Sequence, residues 1–463
     1  MNDAPVYFKS LELTDFRTFG RASIDLVNKF NILPQWTLLL GDNGVGKSTI
    51  LQCIAWMKPQ FPEPGAPGQN LGLDEIEPLI NNEENDTLLN MLRRQKSLRV
   101  TSQLTASFIA KKTLKIRVPH ERPQTCTSSF SMITNKAGDL SKVTPTITTT
   151  SKRTFYNNSI LIYAYSASRV LGKQNLTDSA LEDTIPSFLA EKTTLFDAQE
   201  ILHTLRYAEL GSEVERVKYT AFLQTVKKML VALLPDIDRI SDIEIIEPKL
   251  IGRKMAPPKI LLSNKHGKKI PFENYSLGYK TVMSLTIDLA WRLFNRFERN
   301  PLEQPAIVLI DEIDLHLHPL WQTSIMDSLS DHFPNVQFIA TAHSPLMVQA
   351  ALGANYAVLR ESADGVKIIS EPEDVEGWRV DQILTSELFG LTSVRGKKYN
   401  QLLKSRKELA KKMSLSPAEK TQLAEISDQL SRYAPGRTDE LDDRRLISEV
   451  ARKLRESRKL IKV

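Results

Sequence analysis

The stretch Trp36–Ser48, WTLLLGDNGVGKS, decides how the rest of the chain is read. A short apolar run, Trp36–Leu40, reads as a buried strand, and it feeds Gly41, four residues, then Gly46, Lys47 and Ser48. Glycines let a backbone wrap around a phosphate with successive amides pointing inward, and the helix expected to follow adds its positive N-terminal end. In this pattern Lys47 reaches the β and γ phosphates and Ser48 is placed to ligate Mg²⁺. Average residue frequencies give the bare pattern a chance occurrence of about 2 % in a chain this long, before its strand-and-helix context is counted.

Working outward, residues 7–27 alternate apolar and polar side chains as half-buried strands do. Downstream, AIVLI (306–310) is a buried-strand run that closes on Asp311 and Glu312. An aspartate there can hold magnesium, while the adjacent carboxylate orients or deprotonates an attacking water. VQFIAT (336–341) is a further buried strand and delivers His343, which is placed to contact the terminal phosphate or the water. Ser276 and Gly278 stand at the start of a helix expected over 279–293, where they either bind an anion or cap the helix.

The chain has 463 residues, 41 % of them hydrophobic and 25 % charged, which excludes wholesale disorder and fibrous or disulfide-stapled scaffolds. Two cysteines, Cys53 and Cys126, point to a reducing compartment, and cytoplasmic localisation is expected. Apolar runs fall short of the roughly 18 residues that a membrane helix needs, so no membrane association is expected. The net charge of +6 lies in residues 401–463, with 16 basic and 10 acidic side chains, while residues 1–400 hold 45 of each. That tail reads as basic and helical, with Ser416, Pro417 and Glu419 forming a helix start ahead of Leu423, Ile426 and Leu430. The spacing of Leu, Ile and Val between Phe188 and Leu234 is helical. A basic stretch from Arg93 to Arg122, following an acidic patch at 74–86, reads as antiparallel strands that either contact nucleic acid or form a solvated face.

In order, GDNGVGKST (41–49), YSLGYKT (275–281), AIVLIDEIDLHLHPLWQ (306–322) and ATAHSP (340–345) resemble the Walker A, signature, Walker B with D-loop, and switch-histidine motifs of ABC-type ATPases. The branch resembled contains RecF, the SMC proteins and the overcoming-lysogenization-defect nucleases. SLELTDFRTFG (10–20) is similar to that branch's first strand and turn. LIYAYSASR (161–169) and DQILTSELFGLTS (381–393), followed by a helical tail, resemble the PtuA-type ATPases of Septu and retron antiphage defence systems. The signature departs from Leu-Ser-Gly-Gly, keeping Ser276 and Gly278 but losing the second glycine.

The resemblance implies an α/β fold: an ABC-type P-loop head with an antiparallel β subdomain, a helical insertion and a helical C-terminal tail. It divides the chain into residues 1–170 (Walker A and β subdomain), 171–245 (helical insertion), 246–395 (signature, Walker B and switch histidine) and 396–463 (basic tail). It implies ATP and Mg²⁺ as ligands. The nucleotide would be bound by Arg17, Asn43, Gly44, Gly46, Lys47, Ser48, Thr49, Ser276 and Gly278, and the metal by Ser48 and Asp311. Glu312, His343 and Lys47 would act in catalysis. ATP would lie between two heads arranged head to tail, so a homodimer or higher homo-oligomer is expected, with Asp314 and His316 approaching the opposite site. Gln103 is a candidate for the glutamine loop.

Three functions follow from these features. The first is an antiphage defence ATPase that controls a separate nuclease subunit, of the HNH type. The second is a RecF-like or SMC-like DNA repair ATPase. The third is a slowly hydrolysing, ATP-locked scaffold. The second would be expected to show a long coiled coil or a Cys-x-x-Cys hook, and the sequence has neither.

Overall fold

The computed structural model describes residues 5–28, 32–59, 101–111, 114, 124–134, 140–150, 160–174, 176, 184–209, 211–251, 254–256, 258–370, 375–391, 393–412 and 416–433. The acidic patch at 74–86, most of the basic stretch 93–122 and the tail beyond residue 433 lie outside them. The chain divides into two compact units, Met1–Phe389 and Gly390–Val463.

The first unit is built on a six-stranded sheet in the order Gly365–Ile369, Asn355–Ser362, Trp36–Gly41, Val336–Thr341, Ala306–Ile310, Ile162–Tyr165. The last five are parallel and Gly365–Ile369 runs antiparallel at the edge. Three of the inner strands are near-continuous apolar runs because both faces are covered. Leu38, Leu40, Val308, Ile310 and Phe338 point into one hydrophobic cluster, and Leu39, Ile307, Leu309 and Ile339 into another. The first cluster is completed by helices Ala198–Ala208, Glu213–Leu233, Leu277–Arg296 and Ile325–His332. The second is completed by the helix Lys47–Trp56 and by a five-stranded antiparallel sheet, ordered Phe19–Asp25, Val6–Phe16, Thr101–Ala110, Thr125–Thr134, Leu140–Thr149.

Gln337 is a polar side chain with no exposure in the middle of this core. Its amide accepts from the Phe8 N–H and donates to the Phe8 carbonyl, both at 2.8 Å, where the pairing of Val6–Phe16 with Thr101–Ala110 shifts register. The glutamine satisfies two backbone groups that an irregular strand would leave unpaired in a dry interior, and so stitches the two sheets together.

The region expected to be helical between Phe188 and Leu234 also contains a strand, Thr193–Phe196, ahead of the helix Ala198–Ala208. That helix begins on Asp197, whose carboxylate accepts from the Gln199 N–H at 2.8 Å. Helix Glu213–Leu233 packs on Leu277–Arg296 through stacked Phe222 and Phe294, with ring centroids 3.9 Å apart. Asp288 and Arg292, on the latter helix, form a buried ion pair at 2.7 Å. Asp288 also accepts from the Tyr165 hydroxyl and the Phe196 N–H, each at 2.9 Å, so its charge is fully satisfied.

In the second unit, helices Lys397–Ala410 and Pro417–Ser431 pack around Tyr399, Leu409, Ile426 and Leu430. The second helix starts as its sequence indicates: the Ser416 hydroxyl accepts from the Glu419 N–H at 3.3 Å and the Glu419 carboxylate from the Ser416 N–H at 2.8 Å.

Candidate functional site

Register brings the chemistry to one edge. Gly41 pairs with Leu359, Leu39 with Thr341, and Ile310 with both Ala340 and Tyr165. Loops leaving the carboxyl ends of these strands therefore face one another, the usual place for a ligand in an open parallel sheet.

The glycine loop is left-handed at Gly44 and Gly46, with φ of 81° and 98°, and Gly46 caps the helix Lys47–Trp56. Gly41 is excluded from substitution by contact as well, since a Cβ there would lie 2.4 Å from the Leu359 carbonyl oxygen. A Cβ on Gly44 would meet nothing within 4 Å, so this glycine serves backbone conformation and leaves the loop's mouth open. Asn43 and Gly44 are exposed there and Ser48 is half-buried. Lys47 is buried, with Nζ donating to the carbonyls of Gly41 and Asp42 at 2.8 Å each. Burial pushes its ammonium below the usual range, and Asp311, Glu312, Asp42 and Asp314 oppose the shift. The lysine and the carboxylates thus share one electrostatic neighbourhood, although more than 260 residues separate Lys47 from Asp311.

Arg17 occupies the turn between Val6–Phe16 and Phe19–Asp25 at φ 49°. Its Nη1 donates to Thr49 Oγ1 at 2.6 Å, which places it on the first turn of the phosphate-loop helix. Arg17 and Thr49 thus stand together at the start of that helix.

Asp311 and Glu312 follow the strand Ala306–Ile310, and Glu312 has φ 48°. A left-handed conformation costs a non-glycine residue roughly 1–3 kcal/mol. Thr341, which the motif reading gave no role, bridges the pair. Its hydroxyl accepts from the Glu312 N–H at 2.6 Å and donates to Asp311 Oδ1 at 2.7 Å. Arg169 is a second residue that the motifs missed. It donates to the Asp311 carbonyl at 2.8 Å and the Glu312 carbonyl at 3.0 Å. The available signals were positional: Thr341 is the polar end of an apolar strand, and Arg169 lies just past another.

Asp314 accepts from the backbone N–H groups of His343 and Ser344 at 2.8 and 2.6 Å. Within its own chain this carboxylate holds the loop that follows Val336–Thr341, where His343 is exposed. Ser344 Oγ donates to Gln322 and caps its own helix. His318 caps the short helix Pro319–Gln322. Gly278 is buried, and a Cβ there would sit 2.1 Å from the His316 carbonyl oxygen, so close packing of the D-loop requires glycine. Ser276 is the N-cap of Leu277–Arg296 yet makes no side-chain capping bond, and it is exposed beside the half-exposed Leu277. Gln103 lies in the antiparallel sheet between Thr14 and Ser131, exposed, and has no contact with the glycine loop among the described hydrogen bonds.

A glycine-rich loop at a helix N-terminus, a lysine that senses Asp311 and Glu312, a buried aspartate and a half-buried serine are a donor set suited to a nucleoside triphosphate and a hard divalent cation. Among the described residues no helix is long and apolar enough to cross a membrane.

Septu protein PtuA of Bacillus mycoides (strain KBAB4) is 26 % identical to the chain over 436 residues, 92 % of this chain and 51 % of that protein. A retron Vc95 "probable ATPase" of Vibrio cholerae serotype O1 biovar El Tor is 44 % identical over 108 residues, 23 % of this chain and 21 % of that protein. The chain therefore spans about half the length, or less, of these curated relatives. Among solved structures, an SMC head bound to the C-terminal winged-helix domain of ScpA aligns over 79 % of this chain and 97 % of its own, at 14 % identity and a TM-score of 0.41. The family described as "AAA domain, putative AbiEii toxin, Type IV TA system" matches residues 37–349. With the glycine loop, Asp311, Glu312 and His343 all inside that span, the chain belongs to this family of AAA-domain proteins.

Proposed function

We propose that the chain is the ATP-binding and hydrolysing part of an antiphage defence complex, and that its nucleotide state controls a separate nuclease subunit of the HNH type. The convergence of Lys47, Asp311, Glu312 and the switch loop on one sheet edge carries the ATPase reading. The defence reading is supported by relatives named as Septu PtuA and retron ATPases.

The loop amides and Lys47 would hold the β and γ phosphates, with Asn43, Gly44, Gly46 and Thr49 shaping the cradle and Arg17 approaching from the hairpin turn. Ser48 and Asp311 would hold Mg²⁺, which when bound neutralises charge developing on the phosphates. Glu312 accepts the proton of the attacking water, and His343 contacts the terminal phosphate or that water. Ser276, exposed and not spent on capping, would face the phosphates of a second head placed head to tail, so a homodimer completes the site. Gly278 supports Ser276 by letting the helix start lie against the D-loop.

The test is ATP hydrolysis and ATP binding by the purified chain with Mg²⁺. Glu312→Gln is expected to keep ATP binding and slow turnover by about 100-fold or more. Lys47→Ala is expected to weaken binding itself. Unchanged hydrolysis in both variants sinks the ATPase reading. For the defence reading, co-purification of an HNH-type nuclease from cells carrying the neighbouring genes is expected, and recovery of DNA ends alone would point to repair instead.

A further inference from the structure

The segment Leu161–Arg169 ends in an arginine that the nucleotide motifs leave unused. Arg169 opens the strand Arg169–Gln174, and its guanidinium sends one Nη to the Asp311 carbonyl and the other to the Glu312 carbonyl, at 2.8 and 3.0 Å. Two consecutive peptide carbonyls thus meet one planar fork, a match that a single flexible ammonium does not reproduce. The opposite side of the same peptide is held by Thr341 through the Glu312 N–H and Asp311 Oδ1. The following residue, Ile313, donates its N–H to the Thr341 carbonyl at 3.1 Å.

Between these holds Glu312 keeps φ at 48°. A non-glycine residue stays in that region only where its surroundings over-determine it, and here both carbonyls and the N–H are fixed from outside. The backbone at Glu312 sets the direction in which its carboxylate leaves the chain. Arg169 Nε is buried without a hydrogen-bond partner, so the side chain's placement serves the two carbonyls at some cost to itself. Burial pushes the guanidinium down to about 10, against Asp311, Glu312 and Asp314, so it remains charged at neutral pH.

We propose that Arg169 is a positioning residue for ATP hydrolysis: by clamping the Asp311 and Glu312 carbonyls it holds Glu312 in the left-handed conformation that presents its carboxylate to the attacking water. The proposal rests on the ATPase reading of this site. It assigns Arg169 no contact with nucleotide, so its effect must pass through Glu312.

The experiment measures kcat and KM for ATP, and binding of a fluorescent ATP analogue, on the full chain. The variants are Arg169→Met, Arg169→Lys, Glu312→Gln and Arg169→Met combined with Glu312→Gln. Displacing a reacting group by about 1 Å costs on the order of 100-fold, so Arg169→Met is expected to lower kcat about 10- to 100-fold with KM and analogue binding nearly unchanged. Arg169→Lys, able to reach one carbonyl at a time, is expected to fall between Met and wild type. In the Glu312→Gln background, Arg169→Met is expected to cause little further loss, because the residue it positions no longer takes the proton. An equal fold-loss in both backgrounds overturns the proposal, as does a parallel loss of kcat and nucleotide binding. If Arg169→Met fails to fold, Arg169→Lys carries the test, and wild-type kcat in that variant overturns it. A wild-type chain that does not hydrolyse ATP removes the ATPase reading and this proposal with it. Wild-type turnover that is indifferent to Arg169 removes this proposal alone.

Discussion

At the carboxyl edge of the parallel sheet, and in the helical pair Lys397–Ser431, the chain solves opposite problems. The edge holds Arg17, Glu312 and His316 at positive φ, buries Lys47 and Asp311, and ties segments more than a hundred residues apart by short hydrogen bonds. Among its described residues the helical pair has no positive φ, buries four hydrophobic side chains and carries a local cap. A strained, charged arrangement persists only inside a large core that over-determines it, whereas a pair of packed helices can be specified by propensity, one apolar stripe and its ends.

Perturbations should separate the two regimes. The largest stability loss is expected for Arg292→Met, which leaves the Asp288 carboxylate buried without its cation; denaturant unfolding should show a loss of about 3–5 kcal/mol in the first unit. A near-neutral result would mean that the Tyr165 and Phe196 donors suffice and that the charge is not essential. Gly278→Ala should follow at about 3 kcal/mol, because the new methyl meets a backbone carbonyl that no side-chain rotation can move. A thermal shift close to zero would show that the D-loop yields easily. Thr341→Val leaves the Glu312 N–H and an Asp311 oxygen unpaired in a buried place, for a loss of about 2 kcal/mol together with slower ATP turnover. A change in stability with kcat untouched would separate that bridge from catalysis.

In the helical pair, Ser416→Ala should cost only about 1 kcal/mol, read by the unfolding of residues 416–431 in hydrogen exchange. Its partner Glu419 is held down to about 2, first by its bond from Lys412 and then by the Ser416 N–H. A depressed carboxylate contributes fully above its unfolded value, near 4.5, and loses that contribution as pH falls through about 2. Fraying of this helix start is therefore expected to grow as pH falls from about 4.5 to about 2, and fraying already at pH 5 would show that the cap does not hold it.

Much of the edge was legible because its motifs are local. The strand Trp36–Gly41, the loop and the helix Lys47–Trp56 follow from apolar residues, glycines and a lysine in immediate succession. Asp311, Glu312 and His343 were marked by their position at the ends of apolar strands. Two residues make contacts within the chain that no motif indicates. Asp314 secures the switch loop of its own chain, and Gly278 is glycine because His316 lies against it. Neither contact has a sequence signature, since both depend on how the turn after Glu312 folds back. The strand Thr193–Phe196 was likewise hidden inside a helical spacing, because a four-residue stretch with only Leu195 and Phe196 apolar fits either period until a pairing partner is known.

By itself the sequence determined the glycine loop, the acidic strand end, the histidine after the strand Val336–Thr341 and the capped start of the helix Pro417–Ser431, since each is set by residues within a few positions of one another. Tertiary structure alone decided what holds the acidic pair in place. Arg169 stands 142 residues before Asp311 and Thr341 stands 29 residues after Glu312, and only strand register brings them onto one peptide. Local chemistry can be written in a short motif because it acts through neighbouring backbone, whereas the alignment of the Glu312 peptide depends on hydrogen bonds between segments whose order no short motif contains.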